Sequence, residues 1–254
     1  MSDTTVRRPI KWSSYAESNV GTVRTINEDS ILSKPESNIW AVADGMGGYE
    51  AGDVASSMIV RTLAEIEYKE PLSEIVTAVE DHLIDVNFRI QEYADIMLDG
   101  RTLGSTVVSL IIRGRVGACL WAGDSRLYRF RSGQLQQLSR DHSHVEDLIS
   151  QGHLTPEEAQ NHPDSNVITR AVGAHEELYV DINVFSLQIG DILLLCSDGL
   201  YNAVNQQDIT ELLASPSAET TVKELIAKAL ENGASDNVSV IIIKGEAGSL
   251  QNAS

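Results

Sequence analysis

Residues 41–48 of this 254-residue chain read AVADGMGG. An apolar run through Trp40, Ala41, Val42 and Ala43 ends on Asp44, and Gly45, Gly47 and Gly48 follow with only Met46 between them. Glycine lets a backbone approach a phosphate closely, but a carboxylate repels phosphate unless a cation stands between them. The pattern recurs in LLLCSDGL, where Asp198 ends an apolar run and Gly199 follows. Asp236 precedes the run of SDNVSVIII, Asp29 lies where the run of NEDSIL begins, and Asp124 sits at the bend of WAGDSRL. Short carboxylates at the lips of apolar elements are oxygen ligands of the kind Mg²⁺ and Mn²⁺ prefer. The carbonyl of Gly45 could join them, because nothing on its Cα obstructs the approach. Crowded at one sheet edge, such acids would repel one another without a cation. A single Asp-Gly after a strand is also an ordinary turn signal, so spacing alone leaves open whether the five acids meet.

Other chemistries find less support. DGMGG lacks the G-x-G-x-x-G spacing of a dinucleotide site, and no βαβ unit surrounds it. His142 and His144 form an HxH pair in DHSHVED, but no third and fourth zinc ligand follows at suitable spacing. Cys119 and Cys196 lie inside apolar runs and form no CxxC. Both read as small buried thiols in a reducing cytoplasm.

The elements that must position the acids come in blocks. Residues 38–44 read as a strand. Helical spacing follows from Tyr49 to about Glu67 (Val54, Met58, Ile59, Leu63, Ile66) and again from Leu72 to Leu98 (Ile75, Val79, Leu83, Val86, Ile90). STVVSLIIRG, RVGACLWAGDSRLYRF and RSGQLQQL have the texture of paired antiparallel strands. Residues 140–166 are polar, with short helical signals in HVEDLISQG and TPEEAQ. Strands return in ELYVDINVFSL and DILLLCSDG, helices in QQDITELLAS and about 217–232, and a last strand in NVSVIIIKG. Strict βαβ alternation is absent, which predicts α+β architecture with a mainly antiparallel sheet and helices on its faces.

The bulk numbers bound the partners. A formal charge of −18 would repel nucleic acid and anionic membranes. The N-terminal residues carry no signal-peptide run, and DILLLC and VSVIII are too short to span a bilayer. A soluble single domain over 1–246 is expected, with a disordered polar tail over 247–254.

Taken in order, RTINED (24–29), ADGMGG (43–48), GST (104–106), GDSR (123–126), SDGL (197–200) and SDN (235–237) resemble the metal-dependent protein phosphatases of the PP2C type. The segment about 140–170 resembles the flap of bacterial members. The resemblance implies a four-layer αββα sandwich, two packed antiparallel sheets flanked by helices. It implies hydrolysis of phosphoserine and phosphothreonine on proteins, opposing a bacterial Ser/Thr kinase; the cysteines point to the cytoplasm, and a monomer is the simplest expectation. It also implies two Mn²⁺ or Mg²⁺ ions bridged by Asp44. Asp198 and Asp236 would complete the first site, and the Gly45 carbonyl would belong to the second, with Asp29 and Glu28 nearby through water. A third ion would take Asp124 together with Asp198. Arg24 would grip phosphate oxygens with its planar fork. Read from the residues themselves, Asn237 could orient Asp236 or simply make the turn, Thr106 could support the ligand aspartates or be an ordinary β-branched strand residue, and Ser143 and His144 on the flap would influence specificity. Two positions depart from the family pattern: Met46 stands where animal relatives carry a histidine proposed as general acid, and Leu103 where bacterial relatives commonly carry methionine.

Overall fold

In a computed structural model of the chain, residues 8–47, 51–68, 70–159 and 162–249 are described. Gly48 of the ADGMGG motif and Tyr49, the expected helix start, lie outside them, as do residues 250–254 of the expected tail. Two antiparallel sheets form the centre. One has the order β1 (Ile10–Asn19), β11 (Val238–Ala247), β10 (Ile192–Cys196), β7 (Arg126–Arg131), β8 (Gln134–Gln137). The other runs β2 (Asp29–Lys34), β3 (Ile39–Gly47), β5 (Val107–Arg113), β6 (Val116–Ala122), β9 (Asp181–Ser186), with the short β4 (Leu103–Ser105) paired to the end of β3.

The strands are apolar on both faces because both faces are covered. In β3 the side chains alternate: Ile39, Ala41 and Ala43 pack under α1 (Gly52–Ala64) and α2 (Leu72–Met97), while Trp40 and Val42 join the layer between the sheets. In β11, Ile241 and Ile243 face that same middle layer, while Val240 and Ile242 pack with α5 (Asp198–Ala203), α6 (Gln206–Leu212) and α7 (Ala218–Glu231). Three apolar layers thus separate four structural ones, the αββα sandwich that the resemblance implied. Each fully buried Ile or Leu contributes about 1.5–3 kcal/mol.

The helices at 72–98 and 217–232 and most strands fall where periodicity puts them. β1 is an addition: IKWSSYAESN mixes polar and apolar residues, yet it pairs along its whole length with β11, from Ile10↔Ala247 to Asn19↔Val238. That pairing draws Gly245 to Ala247 into the sheet, so the strand continues into the first residue of the expected tail. The flap holds α3 (His144–Ser150) and the single turn α4 (Pro156–Ala159).

Candidate metal centre

The acids gather at one rim, where both sheets end. Asp29 and Asp44 are direct partners in the β2–β3 register. By the alternation of β3, Asp44 follows Trp40 and Val42 toward the space between the sheets, and Asp29 lies on the same face. Like charges opposite one another on a ladder are unfavourable, and here three more converge on them. Asp198 opens α5 just beyond β10, Asp236 immediately precedes Asn237 and β11, and Asp124 lies in the link that carries the chain from β6 in one sheet to β7 in the other.

Close backbone approach makes the gathering possible. A Cβ on Gly199 would lie 2.0 Å from the Asn237 carbonyl oxygen, so only glycine lets the start of α5 touch the start of β11. A Cβ on Gly45 would meet the Gly52 carbonyl oxygen at 2.1 Å, which seats α1 against the end of β3.

Neutral hydrogen bonds fix the cluster. Ser197 Oγ donates to Asp29 Oδ2 at 2.7 Å and accepts from Ser239 N at 3.0 Å, which ties the two sheets together at the rim. Thr106 Oγ1 accepts from the Asp44 amide at 3.1 Å and lies 2.6 Å from Ser125 Oγ, while the Asp44 carbonyl accepts from Thr106 N at 2.8 Å. The Asn237 side chain accepts from the Glu28 amide at 2.7 Å and donates to the carbonyls of Val20 and Ile26. From Asn237, Asp236 receives only the backbone amide, which donates to Oδ1 at 2.9 Å. The expected orienting role of the Asn237 side chain is therefore replaced by another: it pins the RTINED loop beside Asp236. Glu28 Oε1 accepts from Gly52 N at 2.9 Å, at the start of α1.

The electrostatics are those of an anion cluster short of counter-charge. Burial, with the charges of Asp29, Asp198, Asp124 and Asp236 added, holds the Asp44 carboxyl well above the usual carboxylate range. Burial first, then neighbouring acids, pushes Asp198 up to about 7, and both Asp29 and Asp124 up to about 6. Oδ1 of Asp29, of Asp124 and of Asp198 is buried without a hydrogen-bond partner. Orphaned, buried acceptor oxygens on three of the rim acids suit a hard divalent cation, which prefers such oxygens and would relieve the repulsion. Among the described residues no three His, Cys, Asp or Glu side chains already stand as a finished ligand set. Asp29 is turned to Ser197 and Asp236 to Arg24, whose Nη2 lies 2.8 Å from Oδ2.

Other expected residues fall as follows. Arg24 lies at this rim, half-exposed, where it feels Asp236, Glu28 and Asp44. Met46 packs over Gly104, where a Cβ would come within 3.1 Å of its terminal methyl. Leu103 is fully buried beneath α1 and α2. Ser143 caps α3 by accepting from Glu146 N, and the His144 amide donates to the Val167 carbonyl. His142 stacks on Trp121, and its Nδ1 accepts from Gly123 N at 3.1 Å. That use removes half of the HxH zinc alternative. Cys119 and Cys196 are free, buried and in different layers, and burial pushes the Cys196 thiol up to about 12.

Residues that motif reading did not single out also line the site. Ser197 and Ser239 carry the cross-sheet bond. Asn202 donates to Asp198 Oδ2 at 3.1 Å, and the Tyr201 hydroxyl reaches Asp124. A cavity of about 730 Å³ runs from Asp124 and α5 beneath the flap, past Val145 and Ile149 to Pro156. The pattern SDGLYN held the signal for Tyr201 and Asn202, since i, i+3 and i+4 share one helix face.

Comparison with known proteins agrees with this geometry. The family model described as Protein phosphatase 2C matches residues 22–232, ending short of Asp236, whose place in the cluster rests on the coordinates. The serine/threonine phosphatase stp of Listeria welshimeri is 37% identical over 233 residues, covering 88% of this chain and 92% of that protein. The serine/threonine protein phosphatase PstP of Mycobacterium tuberculosis is 35% identical over 227 residues; the match covers 89% of this chain but only 44% of PstP. Among solved structures, PppA of Pseudomonas aeruginosa superposes with a TM-score of 0.87 at 40% identity, covering 94% of this chain and 100% of that one. The catalytic domain of PstP in complex with two manganese ions superposes with a TM-score of 0.85 at 32% identity, covering 94% and 99%. No helix among the described residues is long and apolar enough to cross a membrane.

Proposed function

Because the chain belongs to the protein phosphatase 2C family of serine/threonine phosphatases, we propose that it hydrolyses phosphoserine and phosphothreonine on proteins with the help of divalent cations at the Asp44 rim. The observation that carries this reading is the convergence of five aspartates, three of which keep a buried, unpartnered oxygen. Asp44 would bridge two Mn²⁺ or Mg²⁺ ions, Asp198 and Asp236 would complete the first site, and the Gly45 carbonyl would serve the second. Asp29 and Glu28 would act on the second ion's surroundings, and Asp124 with Asp198 would hold a third. Bound there, such ions supply charge neutralisation for the phosphate and an activated water at neutral pH.

The chain's own groups would do the rest. Arg24 sits on the exposed side of the cluster, where its fork can leave Asp236 for two phosphate oxygens. Thr106 and Ser197 keep Asp44 and Asp29 aimed inward through neutral bonds that add no charge. Met46 carries no transferable proton, so protonation of the departing serine or threonine oxygen falls to water in the cleft or to another residue. The flap, with Ser143 and His144 at its base, would bound the approach of a phosphoprotein segment. The proposed partners are phosphorylated proteins and the Ser/Thr kinase that makes them, met by a monomer in the cytoplasm.

The test is phosphate release from a phosphothreonine peptide. Release with Mn²⁺ that EDTA abolishes is the expected result. Equal rates in both conditions, or none in either, would overturn the proposal.

A further inference from the structure

Asp124, like Asp29 and Asp198, is held at one carboxylate oxygen and free at the other, but its donor is a tyrosine that is itself clamped. Asp124 is 7% exposed, and Oδ1 has no partner, whereas Oδ2 lies 3.2 Å from the Tyr201 hydroxyl. That hydroxyl is also 3.1 Å from the Asp124 backbone carbonyl, so its proton is shared between two acceptors of the same residue. A carboxylate turns freely about Cβ–Cγ until one oxygen is fixed. With Oδ2 fixed, Oδ1 has a defined direction.

Tyr201 is itself clamped. The Arg126 guanidinium lies 3.5 Å from the centre of its ring, a cation–π contact at close range. Arg126 is in turn locked by a fork onto Asp141, with Nε 3.0 Å from both carboxylate oxygens and Nη2 2.6 Å from Oδ2. Its Nη1 donates to Tyr128 Oη at 2.8 Å, and Gln137 Nε2 donates to Asp141 Oδ1 at 2.8 Å. Asp198 and Tyr201 stand at i and i+3 in α5, so one helical turn presents both to the same side.

We propose that Tyr201 is the positioning residue of a third cation site: its hydroxyl holds Asp124 Oδ2, which presents Oδ1 to an ion shared with Asp198. The inference rests on the reading of Asp124 as a cation ligand. Groups that hydrogen-bond a metal ligand typically set affinity by about 10–100-fold. Tyr201→Phe removes only the hydroxyl and keeps the ring under Arg126.

The experiment is a Mn²⁺ binding isotherm on the full chain, with thermal unfolding in EDTA to verify folding. Wild type should bind three ions and Asp124→Ala two. Tyr201→Phe should keep the two tighter sites at wild-type affinity and weaken the third by about 10–100-fold. A Tyr201→Phe isotherm equal to wild type, or one weakened equally at all sites, would overturn the role of Tyr201 while leaving Asp124 as a ligand. If wild type binds two ions, or Asp124→Ala still binds three, the reading of Asp124 itself fails and the inference with it, while the two-ion reaction stands.

Discussion

Asp44 is repelled by Asp29, Asp198, Asp124 and Asp236, and Thr106 answers with neutral bonds to its backbone. Such a residue is costly to the fold, and clustered, strongly perturbed carboxyls mark candidate functional positions. Asp44→Asn removes one charge while keeping the shape. We expect loss of bound Mn²⁺ and a fall in phosphopeptide turnover of at least about 100-fold, since metal-supplied charge stabilisation is worth several kcal/mol. Unfolding followed by circular dichroism in EDTA should show the fold retained. An active, metal-free variant would contradict the assignment. Arg24 makes a different claim. Its partner Asp236 is also an acid of the cluster, so the ion pair stands at the rim. Arg24→Lys keeps the charge but loses the planar fork, and kcat/KM should drop about 10-fold, with KM carrying most of the change. An unchanged KM would place Arg24 outside phosphate binding.

At the scale of elements, periodicity made most of the chain legible. A strand covered on both sides reads as a continuous apolar run, and β3, β5, β10 and β11 do. The helices α2 and α7 carry clear 3.6-residue stripes. What stayed hidden had weak local signals. β1 looks like an ordinary polar stretch because its stability comes from β11, more than two hundred residues away in the chain. α5 is a single short run, DGLYNA, that a reader of strand-then-turn takes as a turn. The acids themselves were legible as types, but their meeting was not, because Asp29 and Asp44 meet through a register, and Asp198 and Asp236 through a glycine contact. That contact is testable. A methyl group on Gly199 would collide with the Asn237 carbonyl at 2.0 Å, and this neighbour is backbone in β11. Gly199→Ala should cost about 1–3 kcal/mol, the usual range for overpacking. It should also weaken Mn²⁺ binding by separating Asp198 from Asp236. A variant with unchanged melting temperature and unchanged metal affinity would show that the starts of α5 and β11 need not touch.

For the whole molecule, the two sheets meet at a rim where each contributes negative charge: Asp29 and Asp44 from one, Asp198 and Asp236 from the other, and Asp124 from the link between. A cation there would join the sheets; without one, the acids push them apart. The carboxyls of Asp29 and Asp124 are raised to about 6 and Asp198 to about 7, with Asp44 raised as well, whereas unfolded aspartates titrate near 3.9. Between roughly pH 4 and 7 the folded state therefore binds more protons than the unfolded one, and stability falls as pH rises through that window. In EDTA the melting temperature should be higher at pH 5.5 than at pH 8. With Mn²⁺ at about 100 times its dissociation constant, binding to the folded state adds about 2.7 kcal/mol. That gain is largest at pH 8, where the ligands are ionised and no proton competes. The pH dependence should therefore flatten or invert when Mn²⁺ is added. Differential scanning calorimetry across pH, with and without Mn²⁺, measures both effects, and equal pH slopes in the two series would mean that the rim acids do not hold the ion.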